Sequence, residues 1–137
     1  MSKYGPYYKL LILGAVILLA PSLVIAETVT LHCRGVNYIY GSGMGKGPAT
    51  REAADLTVTL DEPQMRAELI NGGETRITNL VRVQGDFQGY FPGEKEIFGA
   101  AVLGEQIEIG SGLDFVELRY LLEGDRRYLS FTGTCSH

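Results

Sequence analysis

From Thr28 onward, apolar and polar side chains alternate with period two almost without interruption, a pattern that strands satisfy and helices do not. Val29, Leu31 and Cys33 fall on one face, and Thr28, Thr30, His32 and Arg34 on the other. Leu56, Val58 and Leu60 alternate with Thr57 and Thr59, and Met65, Ala67 and Leu69 with Arg66 and Glu68. No segment beyond residue 26 carries a clear helical stripe. The best helical candidate is residues 48–55, because Pro48 suits a first helical position.

The turns predict a register, since a slip of one residue moves every side chain to the opposite face. A three-residue loop, Gly72-Gly73-Glu74, sets Leu69 against Ile77 and Met65 against Val81, and puts Asn79 on the inner face opposite Ala67. A two-residue turn at Gly124-Asp125 pairs Tyr120 with Leu129 and Leu118 with Phe131. A similar turn at Gly104-Glu105 pairs Val102 with Ile107 and Ala100 with Ile109. Residues 97–103 read as a strand apolar on both faces, whose outer side needs cover from residues 41–55 or from a partner.

The resulting expectation is an all-β domain of eight or nine short strands, a small antiparallel barrel or, as the alternative, a β-sandwich. Closure favours the barrel because it removes strand edges and brings the chain ends together.

Ahead of this domain, Lys3 and Lys9 flank the uncharged apolar run of residues 10–20, Pro21 breaks it, and Val24-Ile25-Ala26 has the form of a cleavage site. Residues 1–26 are therefore read as a signal peptide and 27–137 as a single exported domain, periplasmic or secreted. The alternative, an uncleaved anchor, has an apolar stretch near the lower limit of about 17 residues for a membrane-spanning helix. No stable membrane insertion is expected once the leader is removed. The two cysteines, Cys33 and Cys135, lie near the two ends of the exported part, and in an oxidising compartment they read as a disulfide. Each continues an inward apolar face, Cys33 after Leu31 and Cys135 after Phe131.

Charge narrows the function classes. The chain carries 12 basic and 16 acidic residues, and the leader holds two of the former and none of the latter, so the exported part is decidedly acidic. No basic cluster longer than Arg126-Arg127 occurs, which excludes nucleic acid as an expected partner. The glycine-rich run Gly41-Ser42-Gly43-Met44-Gly45-Lys46-Gly47 fails as a phosphate loop, with Tyr40 where the first glycine belongs and Gly47 where a hydroxyl is required. His32 faces outward and His137 ends the chain, so neither sits beside a nucleophile, and no metal-ligating or catalytic set can be named. No cofactor is expected.

Aromatic residues are the remaining candidates. Tyr38 and Tyr40 share a strand face, and Phe87, Tyr90 and Phe91 cluster in the run Asp86-Phe87-Gln88-Gly89-Tyr90-Phe91-Pro92-Gly93. They either line a barrel mouth for a ligand or protein partner, or fill the core of a chain that has no tryptophan.

Leu31-His32-Cys33-Arg34-Gly35 and Phe131-Thr132-Gly133-Thr134-Cys135 resemble the bracketing motifs of small exported proteins of unassigned activity from Gram-negative bacteria. The resemblance covers the chain ends and implies a periplasmic setting. In size and one-disulfide layout the chain is also similar to periplasmic lysozyme-inhibitor barrels, although it lacks their aromatic-rich stretch. The expected function is a non-enzymatic binding module for a small molecule or protein. The alternatives are an envelope-associated oligomer joined through residues 97–103, an inhibitor, or a hydrolase.

Overall fold

The computed structural model describes residues 27–41, 49–93 and 95–137. Residues 1–26, where a signal peptide is expected, and all of the glycine-rich run except Gly41 lie outside them. Within them are nine strands and no helix: β1 (Thr28–Ile39), β2 (Thr50–Asp61), β3 (Arg66–Asn71), β4 (Glu74–Val83), β5 (Asp86–Pro92), β6 (Glu96–Ile97), β7 (Ala100–Ile109), β8 (Phe115–Leu122) and β9 (Arg126–Ser136). Residues 50–55, expected as helix, are the start of β2, because Ala54, Leu56 and Val58 keep the period of two and β1 pairs with them along its whole length.

Eight of the strands close into an antiparallel up-and-down barrel. Neighbours in sequence pair in order, β5 pairs with β7 across one seam, and β1 pairs with β9 across the other. The β5–β7 pairing decides between the two architectures: it joins what would be the edges of a sandwich. The small β6 adds only to the first residues of β7. At the β1–β9 seam Cys33 faces Cys135 directly, with Cα atoms 4.0 Å apart, and the two are disulfide-bonded.

The hairpin registers differ from expectation at three places. The β3–β4 turn has two residues, Gly72 and Gly73, with φ of 58° and 90°. Two consecutive left-handed residues match the twist of the flanking strands, and only glycine adopts them without strain, so local turn chemistry overrides the apolar pattern. Leu69 therefore pairs with Arg76, and Ala67 with Thr78. Arg76, Thr78 and Leu80 point inward, Asn79 is exposed, and Ile77 and Val81 stand outside, 55% and 56% exposed. Met65 pairs with no residue of β4; at the foot of the hairpin its carbonyl accepts the Leu80 N–H.

Gly104-Glu105 is no turn. β7 runs unbroken through it, with a bulge between Val102 and Gly104, and Ile107 and Ile109 face Leu118 and Val116 of β8. The reversal lies earlier, at Phe98-Gly99, both at positive φ. Residues 97–103 are thus a hairpin rather than a strand with two apolar faces, and Ile97 and Val102 are buried within the chain. In the last hairpin Leu118 pairs with Phe131 as expected. Ser130 is then extra in β9, so Tyr120 meets Tyr128 and the loop has three residues, Glu123-Gly124-Asp125.

The inward faces divide the barrel along its axis. One end is filled: Val29, Met65 and Leu113 pack on the core formed by residues such as Leu31, Val58, Leu60, Phe87, Ile109 and Val116. The other end, where β1, β3, β5 and β8 finish and β4, β7 and β9 begin, is open.

Candidate functional site

A cavity of about 500 Å³ occupies the open end, within the range of roughly 300–1,000 Å³ common to small-molecule sites. Its floor is Phe91 and Leu118, where the apolar core stops, and Val102 lines it nearer the rim. Its walls are mixed, with Asn37 and Tyr38 from β1, Asn71 and Glu74 flanking the glycine turn, Tyr120 from β8 and Lys95 at the rim standing among Ile39, Ile77 and Pro92. The two-residue glycine turn brings Arg76 into this space. The Gly104 bulge aligns Glu105 with the inward residues Ile107 and Ile109, and the β9 bulge turns Ser130 in beside Phe131.

Glu105 is the electrostatic centre of the site. Its residue is 7% exposed, and burying a carboxylate is costly unless it is paired and hydrogen-bonded. Arg76 Nη2 donates to Glu105 Oε1 at 3.1 Å, and Ser130 Oγ lies 3.4 Å from the same oxygen. The Arg76 guanidinium carbon sits 4.3 Å from the centroid of the Phe91 ring, a cation–π placement that fixes the charge over the cavity floor.

Beside Arg76 the barrel wall parts. The β4–β5 ladder runs from Val83–Asp86 to Leu80–Gly89 and no farther. Beyond it the Thr78 side chain takes over: Thr78 Oγ1 donates to the Tyr90 carbonyl at 2.9 Å and accepts the Tyr90 N–H at 3.2 Å. Gly89 makes room for this, since a Cβ there would stand 2.7 Å from Thr78 Cγ2 and 2.9 Å from the Asn79 carbonyl oxygen. Above the parting, even Ile77 borders the cavity although its side chain points outward.

The opposite rim is held by a second apolar cluster. Tyr40, Phe98 and Tyr128 pack edge to face with ring centroids 5.6–5.8 Å apart, and Tyr120 joins at 6.3 Å from Tyr40. Ile97, Val102 and Leu122 back them. Tyr40 OH donates to the Leu129 carbonyl at 2.6 Å, and the Gly41 carbonyl accepts the Phe98 N–H at 3.0 Å. Burial, reinforced by the nearby tyrosines Tyr38, Tyr120 and Tyr128, raises the Tyr40 hydroxyl above its ordinary pKa of 10.0.

The aromatic residues singled out from the sequence therefore separate. Tyr38 and Phe91 line the cavity, and Tyr40 fixes its rim. Phe87 lies in the core near the filled end, 1% exposed, and Tyr90 points outward, 55% exposed, because β5 alternates between the two faces. Arg76, Glu105 and Ser130 were not among the expected site residues. The Gly-Gly pair held the signal for Arg76, since a two-residue turn puts residues 76, 78 and 80 inside; the two bulges that place Glu105 and Ser130 left no such mark. His32 is exposed on the outer wall, and among the described residues no group of three His, Cys, Asp or Glu side chains is arranged to hold a metal ion. No protein-family model matches the chain, and no curated protein matches it either.

Proposed function

We propose that this chain is an exported, non-enzymatic binding barrel, periplasmic or secreted, that takes a small polar molecule into its open end. The observation that carries this reading is the 500 Å³ mouth cavity built around the enclosed Glu105 carboxylate and its Arg76 partner. A barrel mouth serving only as a packed end has no need of a charge pair in place of apolar filling, as the opposite end illustrates. The four charged side chains in the lining, Glu74, Arg76, Lys95 and Glu105, favour a hydrophilic ligand over a lipid tail. The Cys33–Cys135 bond is compatible with an oxidising compartment, and among the described residues no helix is long and apolar enough to cross a membrane. The oligomer reading keeps a narrower basis, since Ile97 and Val102 are buried within the chain while Leu103 of the same segment is 58% exposed.

Two measurements test the proposal. Intact mass of the exported protein should correspond to a chain starting at Glu27; full-length chain in the membrane fraction would contradict export. Amide shifts of that protein, followed against a library of small polar metabolites, should move together at Asn37, Arg76, Glu105 and Ser130. Shifts that scatter over the outer wall, or no shifts at all, would overturn the binding reading.

A further inference from the structure

Both hydrogen bonds to Glu105 converge on one of its two oxygens. Arg76 Nη2 and Ser130 Oγ contact Oε1, and among the described residues Oε2 receives none. Among those residues the one enclosed side-chain oxygen or nitrogen without a partner is Gln106 Oε1, so Glu105 Oε2 is open to the cavity although its residue is 93% enclosed, being 7% exposed. Arg76 is similarly incomplete. One nitrogen holds Glu105, the guanidinium rests over Phe91, and Nε and Nη1 make no hydrogen bond to the described residues. The site thus offers a bare carboxylate oxygen and free guanidinium donors side by side.

The charged lining is balanced, with Arg76 and Lys95 against Glu74 and Glu105. A ligand carrying a single charge would satisfy one half of the Arg76–Glu105 pair and compete with the other. A ligand carrying both signs on neighbouring atoms satisfies both halves and adds no net charge to a partly enclosed space. Resting on the small-molecule reading above, we infer that the ligand is a zwitterion of the α-amino acid class. Its ammonium group donates to Glu105 Oε2 and its carboxylate accepts from the free edge of Arg76. Val102, Leu118 and Tyr120 remain to receive an apolar side chain.

The test is titration calorimetry of the exported protein with a panel of free L-amino acids. For the tightest binder, the N-acetyl derivative removes the ammonium, the C-terminal amide removes the carboxylate, and glucose serves as an uncharged polar probe. The free amino acid is expected to bind at least tenfold more tightly than either derivative and than glucose. Glu105→Gln keeps the shape of the site and is expected to weaken the free amino acid at least tenfold while leaving the anionic N-acetyl derivative no weaker, and tighter where loss of the carboxylate frees Arg76. Circular dichroism of the variant confirms that the fold is retained. A derivative or glucose binding as tightly as the amino acid overturns the zwitterion inference and leaves the small-molecule reading standing. An amino acid affinity indifferent to Glu105→Gln, or no binding by any amino acid, also overturns the inference, and the small-molecule reading then rests on the metabolite screen.

Discussion

Replacing Cys33 and Cys135 together by Ala isolates the contribution of the crosslink. The bond joins residues 102 apart in sequence, and the chain-entropy relation assigns a loop of about 100 residues roughly 4.7 kcal/mol at 25 °C. The cysteines face each other in the β1–β9 ladder, between the His32–Ser136 and Arg34–Thr134 pairs, so the strands stay opposed when the bond is absent. Residual order in the denatured chain lowers the figure, and the small void left at Cys33, 1% exposed, raises it. The expected loss is about 3–5 kcal/mol, against a total of about 5–15 kcal/mol for a domain of this size. The fold should survive, since the pairing of its strands does not depend on the crosslink. Urea unfolding followed by far-UV circular dichroism and tyrosine emission, the chain having no tryptophan, reads the change. With a slope of about 1–3 kcal/mol/M, the midpoint should fall by roughly 1–5 M, and the slope should rise as the unfolded chain expands. A midpoint shift below about 0.5 M would refute the argument that the unfolded chain is what the bond restrains.

Three further perturbations probe the mouth. Gly89→Ala drives a Cβ into Thr78 and should cost about 1–3 kcal/mol, with faster hydrogen exchange at the Tyr90 amide that Thr78 now accepts; unchanged exchange would contradict the role given to the Thr78 hydroxyl. Arg76→Met leaves the Glu105 carboxylate without its counter-ion and should cost about 1–3 kcal/mol, with Glu105→Gln in the same chain restoring most of the loss; additive losses in thermal melts would show that the two do not act as a pair. For Tyr40, the hydroxyl pKa is raised in the folded state relative to 10.0, so the stability linked to its proton is full below pH 10 and is lost as pH rises through the folded value. Tyr40→Phe should flatten that alkaline loss while costing about 1 kcal/mol near neutrality for the bond to Leu129; identical alkaline melts for both proteins would refute the assignment.

The fold class and the disulfide were legible because both rest on period-two alternation, which survives local irregularity. Leu31, Cys33, Val58, Leu118 and Phe131 are inside, as their pattern requires. Register was legible only where no residue is inserted. Leu118–Phe131 was read correctly, whereas the pairing one step farther along failed because Ser130 bulges. At β4 the apolar residues Ile77 and Val81 imitate an inward face, and the pattern by itself reverses the strand. The Gly72-Gly73 turn corrects it, and chooses Arg76 and Thr78 for the interior. Bulges such as that at Gly104 depend on how the strand must bend to meet neighbours distant in sequence, here β5 and β8, so no local signal announces them.

The departures from regularity are not spread evenly. At the filled end the ladders run in register through Ile109–Val116 and Val83–Asp86, and the interior is apolar. Toward the mouth, β7 bulges at Gly104, β9 bulges at Ser130, and β4 parts from β5 at Thr78. Each change brings a polar group to the same place: Glu105 follows the first, Ser130 is the second, and Arg76 lies just beyond the third. A regular eight-stranded barrel of this size fills its interior with side chains. Here the regular half supplies the packing, closed at its seam by the Cys33–Cys135 bond, while the irregular half holds a charge pair open to a cavity. The Glu105 carboxylate, 7% exposed, is paired there with a guanidinium that lies over Phe91, and two residues along β4 Thr78, fitted against Gly89, stands in for the missing rung of the ladder.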